Sequence, residues 1–131
     1  MRFNQFTLPA TNLVASISFY ERLGCKAIVV SDDYVRFEDT SGASTFSLEK
    51  VAAMLPVPGD HAMTMYFEYD DLDATVTALQ QAGIKFDALP QDKSWLWRES
   101  RLKDPSGNRL CLYHAGSNRR FPPWRVDGKT E

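Results

Sequence analysis

A chain of 131 residues with 44% hydrophobic content can fill the core of one domain, or of two small halves. A net charge of −2, with one basic cluster at Asn118-Arg119-Arg120 and Arg125, argues against nucleic acid as a partner. The longest apolar runs, AIVV at 27–30 and VAAMLPV at 51–57, fall short of a bilayer span, and MRFNQF lacks an apolar signal region. A cytoplasmic protein with no membrane partner is expected, its two cysteines, Cys25 and Cys111, free thiols in that reducing compartment.

In chain order, the first predicted element is a strand, FTLPA at 6–10. Asn12 then offers a side-chain oxygen to the free N–H groups of a helix. Leu13, Ile17, Tyr20 and Leu23 recur at steps of four, three and three, on one helical face, and Gly24 suits a left-handed helix end. KAIVVSDDYVRFEDTSGASTFSLE, 26–49, has strand character around the turn DTSG at 39–42. VAAMLPVPGDHA, 51–62, with two prolines and a glycine, is a linker.

The pattern then repeats. MYFEYDDLDATVTALQQAGIKF, 65–86, aligns without a gap on residues 6–27 at an offset of 59 (72 − 13), placing Leu72 on Leu13, Val76 on Ile17, Gly83 on Gly24 and Asp71 on Asn12. A second strand-rich run, 85–114, carries the turn DPSG at 104–107, at an offset of 65 from DTSG. Each half reads β-α-β-β-β in an α+β fold: a first module over 1–50, a linker over 51–62, a second module over 63–116 and a tail over 117–131. A ferredoxin-like sandwich with chance internal similarity is the competing architecture. Pro122-Pro123 predicts an extended tail, with Phe121 and Trp124 laid against protein.

Taken together, the paired modules, SISFYERLG at 16–24, FEYDDLDA at 67–74 and DPSGNRLCLY at 104–113 resemble the vicinal-oxygen-chelate superfamily. That superfamily holds glyoxalase I, bleomycin-resistance proteins and extradiol dioxygenases, and the resemblance covers residues 3 to about 115. It implies eight strands curled into a half-open cup, a homodimer and, in the enzymes, a divalent metal in the cup. The tail is expected across the cup mouth or the second subunit.

Strand parity sorts the side chains. Phe6, Leu8, Met65, Phe67, Leu110 and Leu112 go under the helices. Gln5, Thr7, Ser47, Glu49, Thr64, Tyr66, Glu68, Cys111 and Tyr113 take the opposite face, joined by Arg36, Glu38, Trp97, Glu99 and Arg101 if no bulge intervenes. The resemblance puts the family's metal-ligand positions at Gln5, Thr64 and Cys111, with Ser47 as the additional glyoxalase position. None is His, Asp or Glu, so no metal and no other cofactor is expected. His114 points to the other face and His61 lies in the linker. Glu49, Glu68 and Glu99 can gather as oxygen ligands or neutralise Arg36 and Arg101. Cys111 is either a small lining residue or a thiol activated by Arg101.

Arg36 and Arg101 stand at the same offset of 65, and two guanidinium groups suit an anionic ligand. Tyr66, Tyr113 and Trp97 offer faces to a planar group. The expected partner is thus a small, partly planar, anionic organic molecule, held by Gln5, Arg36, Ser47, Thr64, Tyr66, Trp97, Glu99, Arg101, Cys111 and Tyr113. Two classes stay open. One is a metal-free binding protein of the bleomycin-resistance kind. The other is an enzyme: a lyase, isomerase or dioxygenase with a displaced metal, or an acid–base catalyst using Glu49, Glu68 or Glu99.

Overall fold

The computed structural model describes residues 1–56 and 63–131. Its elements are β1 (Thr7–Ala10), α1 (Leu13–Arg22), β2 (Lys26–Val30), β3 (Tyr34–Glu38), β4 (Thr45–Lys50), β5 (Thr64–Glu68), α2 (Leu72–Gln81), β6 (Ala88–Asp92), β7 (Arg98–Lys103) and β8 (Arg109–His114). The described part of the expected linker holds no helix or strand, and His61 lies outside the described residues.

The two helices begin and end at the same repeat offset, because the same local signals set both. Asn12 and Asp71 each accept from the backbone N–H three residues on, both at 3.0 Å, and Gly24 and Gly83 follow with φ of +103° and +91°. The sheets repeat as well: one is ordered β1-β4-β3-β2, the other β5-β8-β7-β6, each with its first strand parallel to its last.

The chain divides into two compact units, Met1–Ala62 with Asp104–Asn108, and Met63–Lys103 with Arg109–Glu131. In the first, Leu13 and Tyr20 of α1 cover Leu8, Val35, Phe37, Phe46 and Leu48. In the second, Leu72, Val76 and Leu79 of α2 are buried with Met65, Leu102, Leu110 and Leu112. Apolar residues at period 2 on the strands thus meet apolar residues at helical period. Phe6 stacks on Phe46 as parity predicts, whereas Phe67 is only half-buried.

The turn 104–108 is held into the first unit by a buried polar cluster. Asp104 accepts from Tyr20 Oη at 2.7 Å and from Ser106 N, Asn108 N and Asn108 Nδ2, each at 2.9 Å, while Asn108 Nδ2 also reaches Pro9 O at 2.9 Å. A buried carboxylate is tolerated when its lone pairs are filled in this way.

The expected extended tail is not what forms. Gly116–Arg119 make a 3-10 turn, and further turns follow, closed by Arg125 N to Pro122 O and Gly128 N to Arg125 O, both at 3.0 Å. Proline excludes a regular helix but suits such turns, and Arg125 locks them by donating to Arg120 O and Asp127 while lying over the Phe121 ring.

Candidate functional site

The helix-free face of the second sheet carries the densest constellation. β7 and β8 pair without a register shift, setting Glu99 opposite Tyr113 and Arg101 opposite Cys111, while Tyr66 on β5 lies opposite Cys111 from the other side. The irregularity in this sheet falls between β6 and β7, at Ala88/Gln91, so the face predicted for Glu99 and Arg101 is preserved. Trp97, just before β7, stacks on Tyr113 at 4.6 Å and 15°, and Tyr66 meets both rings edge-on. Thr64 starts β5 on the same face, two residues before Tyr66.

Glu99 is the hub. Its Oε1 accepts from Arg101 Nη2 at 2.7 Å and from the Cys111 thiol at 3.6 Å, and its Oε2 accepts from the Trp95 indole N–H. The pair is lopsided: the Glu99 side chain is 2% exposed and that of Arg101 40%. The guanidinium, which also lies over the Tyr66 ring at 5.7 Å, is therefore the charge the face presents to solvent. Trp95 reaches Glu99 from a three-residue hairpin loop, closed by Lys93 N to Trp97 O at 2.8 Å and Leu96 N to Lys93 O at 3.0 Å. Leu96 takes the left-handed bulge position of that loop at φ 67°, where glycine is usual.

Two of the alternatives left open by the sequence are narrowed here. Cys111 is not an activated thiol: burial, with Glu99 adding and Arg101 opposing, pushes it up to about 12. Glu68, expected to line the face as a candidate base, spends Oε2 on the N–H groups of Ala115 (2.6 Å) and Gly116 (2.8 Å), fastening the tail to β5. His114 Nδ1 donates to Tyr69 O, 2.9 Å away, as a strand-end packing residue.

The corresponding face of the first sheet is held by hydroxyls. Arg36 lies opposite Ser47, Tyr34 opposite Glu49 and Glu38 opposite Thr45, with no register shift between β3 and β4. Gln5, just ahead of β1, donates to Ser47 Oγ at 2.8 Å and accepts from Thr45 Oγ1. Ser47 Oγ is also bonded to Tyr34 Oη, and Tyr34 Oη accepts from Arg36 Nε at 3.0 Å. Tyr34 was missed by sequence reasoning, although it stands two residues before Arg36 on the same strand; Trp95 was missed because it sits in a loop.

The four positions that the family resemblance offers to a metal do not suit one. Gln5 Oε1 and Ser47 Oγ are already bonded within the first unit, Thr64 is a neutral hydroxyl, and the Cys111 thiol in the second unit resists ionisation. Cations such as Zn²⁺ take thiolate, imidazole or carboxylate. Among the described residues, no group of three or more His, Cys, Asp or Glu is placed to hold an ion. Cys25 and Cys111 are both free and buried.

A family model, the Glyoxalase/Bleomycin resistance protein/Dioxygenase superfamily, matches residues 2–112. The chain belongs to this superfamily. Solved structures of the same fold include a bleomycin resistance determinant encoded on transposon Tn5, at 19% identity and TM-score 0.70, covering 87% of this chain and 98% of that one. A bleomycin-binding protein complexed with bleomycin is 20% identical, with TM-score 0.69 over 87% of this chain and 98% of that one. Lactoylglutathione lyase from Agrobacterium tumefaciens is 19% identical, with TM-score 0.69 over 86% and 92%. A search of curated proteins returns no match. The family model fixes the superfamily, and the solved structures share its α+β, twice-β-α-β-β-β fold. No helix among the described residues is long and apolar enough to cross a membrane.

Proposed function

We propose that this superfamily member is a small-molecule-binding protein that works without a metal. Its ligand is partly planar and anionic, stacked on the aromatic group Tyr66, Trp97 and Tyr113, with its acid on Arg101. The observation that carries this reading is the lopsided pair: Glu99 hides its charge while Arg101 keeps two-fifths of its side chain in solvent. Glu99 takes Nη2 and the Tyr66 ring lies against the guanidinium, whose solvent-exposed part is offered to a carboxylate or sulfonate, anions that arginine is suited to hold. The bleomycin-binding neighbour, complexed with bleomycin, supports a small organic partner.

The acid–base alternative gains little support. Of its three carboxylates, Glu99 is sealed beneath Arg101 and Trp95 and Glu68 serves backbone N–H groups, which leaves the exposed Glu49 of β4 as its one candidate base, and the Cys111 thiol is protonated at neutral pH. Dimerisation is also part of the proposal, and the exposed apolar residues Ile28, Val29 and Val30 on edge strand β2 support it. A monomeric mass in light scattering at micromolar concentration would remove that element.

A thermal-shift screen of aromatic acids against chelator-treated protein tests the main reading. Arg101→Ala is expected to weaken the best hit by about 1.5–3 kcal/mol, the worth of a charge-assisted hydrogen bond, with Arg119→Ala doing far less. Unchanged affinity in Arg101→Ala would overturn the assignment, and so would one equivalent of Ni, Zn, Fe or Mn per chain lost together with binding in Gln5→Ala.

A further inference from the structure

We infer that the first module carries an oxyanion-binding site of its own, in which the Tyr34 hydroxyl and the Arg36 guanidinium donate to a carboxylate or phosphate oxygen. The protons around Ser47 can be assigned one by one. Gln5 Nε2 can only donate, so Ser47 Oγ accepts from it at 2.8 Å. Ser47 is fully buried, and among the described residues its only other polar neighbour is Tyr34 Oη. The Ser47 proton therefore goes to Tyr34, because a buried hydroxyl left without an acceptor is costly. Arg36 Nε, at 3.0 Å, fills a second lone pair on the same oxygen. Tyr34 Oη thus accepts twice, and its own O–H is left to point away from both donors.

The charged groups facing this hydroxyl are Arg36, which donates to it, and Glu49, its cross-strand neighbour. Arg36 itself forms no ion pair among the described residues, so its charge, unlike that of Arg101, is not cancelled by a carboxylate. An outward proton beside an uncompensated guanidinium is a preorganised pair for an oxyanion. This site uses none of Tyr66, Trp97, Arg101 or Tyr113, and so stands or falls apart from the function proposed above.

The test is calorimetric titration with benzoate and with inorganic phosphate, on the parent, Tyr34→Phe, Arg36→Gln and Arg101→Gln. At least one probe is expected to bind the parent, and Tyr34→Phe and Arg36→Gln are each expected to weaken it about tenfold, the usual worth of one such bond. The probe that binds names the source, carboxylate or phosphate. Loss in Arg101→Gln alone would overturn the Tyr34 site and leave the proposed function standing, and binding of neither probe would overturn the site outright. Because Tyr34→Phe strands the Ser47 proton and lowers stability, the double variant Tyr34→Phe with Ser47→Ala, which removes both hydroxyls together, gives a second reading. It should bind the probe about tenfold more weakly than the parent, and parent-like affinity would contradict the site.

Discussion

Arg36 and Arg101 occupy the same place in a duplicated module, and each donates to the side chain two residues before it, yet the two sites differ in kind. In the second module that acceptor is Glu99, whose carboxylate also takes the Cys111 thiol and the Trp95 indole. In the first it is Tyr34, whose partner across the strand is the Ser47 hydroxyl. Even the cross-strand pairs are exchanged: Tyr34 faces Glu49, and Glu99 faces Tyr113. One backbone plan thus yields a charge-compensated, aromatic face and a hydroxyl-lined face with a free positive charge. Duplication fixes where side chains stand; single substitutions decide their chemistry.

The two modules differ most at their turns. Asp104 is buried with its lone pairs filled, whereas its repeat equivalent, Asp39, bonds Ser41 and neighbouring backbone at the surface. Asp104→Ala is expected to lower stability by about 3 kcal/mol and Asp39→Ala by about 1 kcal/mol in urea unfolding. Equal losses would show that the turn 104–108 is not specially held. The arginines come next. Arg101→Gln strands the buried Glu99 carboxylate and should cost about 2 kcal/mol, while Arg36→Gln, with no carboxylate to strand, should stay within about 0.5 kcal/mol.

The two thiols, one in each module, behave alike. Burial holds Cys25 and Cys111 at about 12, above the ordinary value of 9.0 that an unfolded chain approaches. Between those values the folded state binds more protons than the unfolded one, so stability is intact below pH 9 and falls as pH rises toward 12. Each thiol should account for about 2–3 kcal/mol of that loss near pH 11, and Cys25→Ala or Cys111→Ala should flatten the decline above pH 9. A curve as steep in both variants as in the parent would contradict the burial. The smallest effect belongs to the hairpin that carries Trp95: Leu96→Gly relieves a left-handed backbone and should raise stability by about 1 kcal/mol.

Much of this was legible in the sequence, for local reasons. Asn12 and Asp71 announce helix starts, Gly24 and Gly83 their ends, and the gap-free offset between the halves announces the duplication. Parity placed Glu99, Arg101, Cys111 and Tyr113 on one face because β7 and β8 pair in unbroken register. What escaped was chemistry set by distance rather than spacing. Tyr34 shares the parity of Arg36, but nothing in the residue order says that its phenol bridges Ser47 and Arg36. Trp95 reaches Glu99 only because Leu96 adopts a conformation that sequence normally signals with glycine. The two prolines of the tail spoke against helix, and the turns locked by Arg125 and Asp127 depend on contacts that no composition rule supplies.

The proposed face binds an organic acid through Arg101 with no metal between them. It is tested most directly by titrating the best acid from the aromatic screen into chelator-stripped protein, with and without added Zn²⁺ or Ni²⁺, in the parent and in Arg101→Ala. The expected result is binding to the stripped parent, unchanged by either metal and at least tenfold weaker in Arg101→Ala. Binding that appears only once metal is restored, or that Arg101→Ala leaves intact, would contradict it.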